Sequence, residues 1–387
     1  VLLGVALDAP GHRVHHHLRG RPLTTADAPR PRREWLDWAR GLAVVLMVRA
    51  HVVDAWTRGA DRDRTAFYWA TFFGGLAAPA FLFLAGLGSG LSGASKLARG
   101  GSRSLVAREL AWRGLTIFGL AFVFRAQAFV LGLGRPVDLL KVDILNVMGP
   151  SLVAAAALWG LGGSAVTRVV AASLGTLVIA FTSPLVRAAA WIDALPAPLQ
   201  WYLRPTPGHT NFTLLPWAGF VTAGLATGVA LATVRGDASE RRLQGTLGVL
   251  ALGGALGAYW ASFQPSIYAP GVSTFWGPSP AFFFIRLGIV TAFLPLCWML
   301  RGAMPARVAA LLGTLGASSL FVYWVHVELV YGGVAILIKR HLPFELTLVA
   351  TAAVAYGMAR LVPVARAWVA RRDEKPVLAR QLVARLL

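Results

Sequence analysis

The sequence predicts an all-α, polytopic integral membrane bundle of about ten transmembrane helices, with both termini in the cytoplasm. Three observations carry that expectation. The 387 residues are 56% hydrophobic and only 14% charged, with a mean hydropathy of +0.61, too apolar for soluble cores to hide. Beyond Arg33 the apolar runs recur at lengths of roughly 20 residues or more, enough to cross a hydrocarbon core of about 30 Å. Basic residues alternate in abundance from one connection to the next. Forty-one glycines and 22 prolines suit bilayer helices that pack closely and break locally.

Residues 1–33 are polar and contain HRVHHHLRGRPLTTADAPRPRR with no apolar signal core, so they read as a disordered cytoplasmic tail. The cluster of His12, His15, His16 and His17 has no carboxylate partners and is assigned no metal. Ten spans follow, at 36–56, 66–91, 112–133, 143–163, 166–183, 211–233, 244–263, 281–300, 311–338 and 344–368. Only GGSA separates the fourth from the fifth. A Pro- and Trp-rich stretch before the sixth reads as an interfacial loop, because Trp and Tyr favour the headgroup level. The membrane domain thus occupies 34–370, and 371–387 is a basic cytoplasmic tail.

With the N-terminus inside, the inner segments hold 25 basic residues and the outer ones 9. The positive-inside rule then places both termini in the cytoplasm and explains most of the +20 net charge, which also attracts anionic lipid headgroups. Nucleic acid is thereby excluded as a partner. Val1, read as a GTG-like start, and the Arg- and Ala-rich composition point to a bacterial cytoplasmic membrane. The single Cys297 excludes a disulfide framework, a zinc cluster and a CxxC redox centre.

Ionisable residues at membrane depth are costly and point to function. His51 falls about 22 Å along the first span, in the outer leaflet, with Asp54 one turn beyond. Arg125, Asp143, Asn146, Arg286 and His326 belong to the same level. Arg40 and His51 share a helix face, eleven residues being within about 20° of whole turns, and Asp37 lies about 40° from it. Arg49 points elsewhere and reads as a snorkelling side chain. Ser319, Tyr323 and His326 share a face from which Glu328 turns away. The GLGSG at 86–90 matches no nucleotide loop, so close helix packing through Gly86 and Gly90 is the better reading. No HExxH, GxSxG or paired-aspartate phosphoryl-transfer motif occurs, so neither metal nor serine-hydrolase chemistry is supported.

The segment REWLDWARGLAVVLMVRAH, 33–51, resembles the transmembrane acyltransferase superfamily, and within it the heparan-alpha-glucosaminide N-acetyltransferase catalytic domain family. Five further segments match in order: PAFLFLAGLGSGL (79–91), RELAWRGLTIFGLAF (108–122), KVDILNVMGPSL (141–152), PWAGFVTAGLATG (216–228) and SSLFVYWVHVEL (318–329). The resemblance implies that His51 is the catalytic histidine, with Asp37 and Arg40 its motif partners at the cytoplasmic side. Asp143 and His326 match recurring polar positions and join His51 and Asp54 as catalytic candidates. Arg49 departs from the pattern, since an apolar residue usually precedes the histidine, and the large lumenal N-terminal region of the animal enzymes is lacking.

The implied donor is acetyl-CoA, whose negative charges suit a basic inner surface formed by Arg40, Arg99, Arg103, Arg108 and Arg113. His51 then serves as general base or as acyl carrier. The partners expected are acyl-CoA, an extracytoplasmic carbohydrate or glycolipid acceptor, membrane lipids and, as an open alternative, a second copy in a homodimer. A transporter or lipid flippase using the outer charges as a relay is the competing class, although no 20- to 50-residue repeat supports it. A catalytically dead relative acting as a membrane interaction partner is the third.

Overall fold

The computed structural model describes residues 33–132, 136–275, 277–371 and 378–387. The polar tail with its histidine cluster therefore lies outside the described residues, apart from Arg33. Among the described residues the architecture is helical, with two isolated β-bridges and no sheet.

The bundle is built around α1 (Glu34–Trp56), which packs against α2 (Thr65–Gly74), α3 (Ala77–Ala98), α10, α11, α12 and α13. Its central position follows from its small and branched residues: Ala39, Ala43, Val44, Val48 and Val52 are fully buried. Below, the end of the bundle where α1 begins is called basal and the end where it stops distal. Next come α4 (Arg103–Gly132), α5 (Ile144–Leu161) and α6 (Ala165–Ala188). The GGSA break is real: α5 stops at Leu161 and Ser164 caps α6, accepting from the Thr167 N–H at 3.1 Å. The interfacial stretch carries the short α7 (Ala197–Leu203) before α8 (Leu214–Thr233). The chain continues through α9 (Asp237–Ala261), α10 (Pro280–Met299), α11 (Ala306–Ala317), α12 (Ser319–Tyr331), α13 (Phe344–Ala370) and α14 (Leu378–Leu386).

Close packing through Gly86 and Gly90 is borne out. A Cβ at Gly86 would stand 1.9 Å from the Val221 carbonyl oxygen, and one at Gly224 the same distance from that of Phe83, so α3 and α8 touch backbone to backbone. Gly41 and Gly316 do the same for α1 and α11, with carbonyls of Leu312 and Asp37 at 2.2 and 2.0 Å from the positions their Cβ atoms would take.

Seven helical segments are long and apolar enough to cross a membrane, or eight with α11 and α12 counted as one span. Each of the ten expected stretches is helical, but α1 and α9 fall outside that set because charged and polar residues dilute them. The stretch at 311–338 is not one continuous helix. It is two helices bent by 85° at Ser318, followed by a 3₁₀ turn at Gly333–Ala335. The bend arises where Gly316 is pressed on α1 and Ser318 leaves helical geometry at φ −124° and ψ 34°, its hydroxyl accepting from Arg366 at 2.7 Å. Within the expected C-terminal tail, α14 packs on α12 and α13 and buries Leu386.

Candidate active site

One cavity of about 2060 Å³ runs along α1 from the basal to the distal end. That is roughly twice the upper end of ordinary small-ligand pockets, which span about 300–1,000 Å³, so two substrates fit end to end.

The basal half is cationic. Arg40, Lys96, Arg99 and Arg113 line it, as does Gly88, where the absence of a side chain leaves the Arg40 guanidinium 3.6 Å from where a Cβ would stand. Arg40 donates to Asp37 at 2.9 Å, and Asp37 is buried beneath it, so the motif's acid orients the base from behind. Lys96 pairs with Glu109 across the α3–α4 seam. Of the expected inner basic residues, Arg99 and Arg113 face the cavity with Arg40, whereas Arg103 and Arg108 are exposed on α4 away from it.

The distal half holds the histidine pair. His51 lines the cavity and His326 lies fully buried behind it, the two rings nearly coplanar at 6° with His51 Nδ1 and His326 Nε2 2.8 Å apart. The tautomers follow from partners. His326 Nδ1 lies 2.6 Å from the Val322 carbonyl oxygen, which only accepts, so that nitrogen carries the proton. In the neutral ring His326 Nε2 is then an acceptor, and His51 Nδ1–H donates to it. His51 Nε2, the other ring nitrogen, then carries no proton and keeps its lone pair, in a side chain that lines the cavity. Tyr331 stands edge-on to His51 with centroids 5.5 Å apart, and its hydroxyl donates to Asp54 at 3.0 Å.

Asp54 and Asp143 both line this half. Asp54 is mostly exposed and lies 3.8 Å from Arg62. Asp143 caps α5, accepting from the Ile144 N–H at 2.8 Å, and holds Arg125 at 2.5 Å; Asn146 completes the cap. Its carboxylate is engaged on both sides. Glu328 turns away from His326 as helical phase expects, and in doing so it lines the cavity, which His326 does not reach. Lys96, Trp217, Glu328 and Tyr331 are cavity residues that sequence reasoning had not assigned to the site. Among the described residues no group of three or more His, Cys, Asp or Glu is placed to hold a metal.

At the distal rim Asp61 ties the α1–α2 connection to the start of α13. The Phe344 N–H donates to it at 2.9 Å and Arg58 at 3.0 Å, and these bonds hold its carboxyl below the usual range.

A polytopic helical membrane protein with a through-running cavity, cationic at one end and histidine-bearing at the other, has the layout of a group-transfer enzyme. The family model described as Heparan-alpha-glucosaminide N-acetyltransferase, catalytic, matches residues 32–262, well over half of the chain, and the protein belongs to that family. The match contains His51, Asp37, Arg40 and Asp143 and stops before the helices bearing Arg286 and His326. Comparison with curated proteins gives no match.

Proposed function

We propose that the protein moves an acetyl or other short acyl group from cytoplasmic acyl-CoA to an amino or hydroxyl group of an extracytoplasmic glycan or related envelope acceptor. The observation that carries this reading is the single cavity joining the cationic basal mouth to His51. Acyl-CoA enters at Arg40, Arg99 and Arg113, which meet its phosphates, and its flexible arm delivers the thioester along the cavity. The acceptor enters at the distal end.

His51 Nε2 acts as general base. It takes the proton from the attacking amine or hydroxyl as the new C–N or C–O bond forms at the thioester carbonyl. The C–S bond then breaks, and the same nitrogen returns that proton to the departing thiolate. His326 never touches substrate: it is a positioning residue that fixes the tautomer and ring plane of His51. Asp143 with Arg125 shapes the wall, and Asp54 with Tyr331 borders His51.

This scheme needs ten crossings with both ends inside. The seven apolar helices are joined by the α11–α12 pair and by α1 and α9, whose 23 and 25 residues reach roughly 35 Å. The 25 to 9 basic asymmetry orients them in a bacterial cytoplasmic membrane. Reporter cysteines test it in a Cys297→Ala background: position 103 should react only from the cytoplasm and position 62 only from outside, and the reverse pattern rejects the orientation.

The deciding experiment for the reaction is thermal stabilisation by CoA followed by CoA release with envelope glycans. A ligand that binds only the folded state raises the melting temperature. No shift at millimolar CoA rejects the acyl-donor reading.

A further inference from the structure

We propose that Arg168 forms a second binding site, set between α3, α5, α6 and α8 at the basal end, that takes the phosphate headgroup of an anionic membrane phospholipid. The site lies outside the cavity along α1 and does not depend on the acyl-transfer reading.

Arg168 belongs to the first turn of α6 and opens the buried stripe of that helix, whose next members are Ala172, Thr176 and Ala180. Only 6% of it is exposed. Its stem passes over Gly162, where a Cβ would stand 2.3 Å from the Arg168 Cγ. The Nε–H donates to the Trp159 carbonyl at 3.2 Å, bracing the last turn of α5, and the guanidinium lies 4.3 Å from the centroid of the Trp159 ring. That accounts for one edge of the fork. Among the described residues no carboxylate stands within 4.0 Å of Arg168, and its Nη groups make no hydrogen bond. The next residue of the turn adds like charge, since a Cβ at Gly163 would lie 3.9 Å from Arg103 Nη1. A buried guanidinium without a counter-ion is costly in a membrane helix, and that cost is relieved when an anion enters.

There is room for one. Arg168 lines a pocket of about 250 Å³ whose other walls include Ala94 and Leu97 of α3, Ala165 of α6 and Val229 of α8. Among the described residues that line it, Arg168 alone is charged. Ala165 is the first residue of α6, so the positive end of that helix meets the same space. The volume falls below the roughly 300–1,000 Å³ of ordinary small-ligand pockets, which suits a headgroup rather than a whole cofactor. Helix α3 stands between this pocket and the donor mouth: Lys96 and Arg99 line the large cavity, whereas Ala94, Leu97 and Ala98 line this one.

The surroundings favour a lipid as the bearer of that phosphate. Helix α6 is long and apolar enough to span, and Val166, Val170, Leu174 and Val178 make an exposed apolar stripe along it at four-residue spacing. Leu161, at the end of α5, is exposed as well. A phosphodiester held by Arg168 at the head of α6 can lay its acyl chains along that stripe, and a planar guanidinium fork matches phosphate oxygens. Basic pockets between membrane helices take anionic headgroups in this way. A choline headgroup would bring its own cation toward Arg168 and Arg103, so an anionic glycerol headgroup is the better fit.

The test measures equilibrium binding of radiolabelled phosphatidylglycerol and phosphatidylcholine to the full chain in neutral detergent. The wild type should hold phosphatidylglycerol at least about ten-fold tighter than phosphatidylcholine, the worth of a charge-assisted forked bond. Arg168→Gln should remove most of that preference, and Arg168→Lys should keep part of it. Ala94→Leu, which fills the pocket and alters no charge, should remove it too, and so separates this site from general attraction to a basic surface. Equal binding of the two lipids by the wild type overturns the proposal. So does a preference retained in Ala94→Leu, or one retained in Arg168→Gln, which would leave Arg168 as a brace for the end of α5. Displacement of the lipid at constant ionic strength by millimolar inorganic phosphate would make the occupant a free anion, and displacement by CoA would make it part of the acyl donor; either result also overturns the proposal. If Arg168→Gln or Ala94→Leu fails to fold, Arg168→Lys and Ala165→Leu, from the facing wall, decide.

Discussion

The two ends of the cavity solve different problems with similar residues. At the basal end Arg113 faces the cavity from α4, Arg99 just past the end of α3 is held only by the Ser95 hydroxyl one turn back, and Arg40 alone is tied down by a buried acid. At the distal end most polar groups are fastened: Arg125 to Asp143, Tyr331 to Asp54, His51 to His326 and His326 to a carbonyl. Loose cations can follow a flexible polyphosphate, whereas proton transfer demands a base held to within a fraction of an ångström. The comparison predicts graded losses at the two ends.

The largest effect belongs to His51. Replacing it with Ala should lower acyl transfer at least about a hundred-fold, the low end of what a positioned base supplies. CoA should still bind, because Arg40 lies roughly 16 Å back along α1. A folded His51→Ala protein with near wild-type turnover, assayed by CoA release, would break the distinction between the ends.

His326 comes next. His326→Leu leaves the buried His51 Nδ1–H without an acceptor, worth about 1–3 kcal/mol or roughly ten- to a hundred-fold in rate. His326→Gln offers an amide oxygen in its place and should recover part of that loss. Equal activity of the Leu and Gln variants, at equal melting temperature, would show that His326 only fills space.

Smaller changes are expected at the basal end. Arg99→Ala or Arg113→Ala should weaken CoA binding several-fold, with the loss shrinking as salt rises, and should leave the acyl-transfer rate at saturating donor almost unaltered. Titration of CoA by thermal shift at two ionic strengths reads this directly. A rate loss at saturating donor would mean that the basal cations take part in the chemistry.

The smallest effect lies at the rim. The depressed carboxyl of Asp61 stabilises the fold at pH values above its ordinary 3.8, and that contribution is lost as the pH falls through the lower folded-state value. Asp61→Asn should therefore melt below the wild type at neutral pH, with the gap closing in acid. Melting curves across pH would sharpen how far the distal rim depends on this one carboxylate. A gap unchanged in acid removes the electrostatic explanation.

Much of this was legible in the sequence. Apolar run length located every long helix, the GGSA break divided two of them, and the glycines at 86 and 90 announced a seam that α8 completes with Gly224. Helical phase grouped Arg40 with His51 correctly, since both line the cavity. Phase within one helix says nothing about depth between helices. It therefore gave no sign that His326 stands behind His51, or that Arg103 and Arg108 face away. The turn at Ser318 is likewise set by contact between Gly316 and α1, a tertiary event that no pattern within one helix records.

The Val322 carbonyl at the end of the histidine pair has one further consequence. A proton wire needs each member to accept from one side and release to the other, and a peptide oxygen can do only the first. Charge picked up by His51 has no onward path through His326 and must leave by the face at which it arrived. In a protein whose cavity runs the length of α1, that terminus would let acid–base chemistry run at His51 without this pair becoming a conduit for protons.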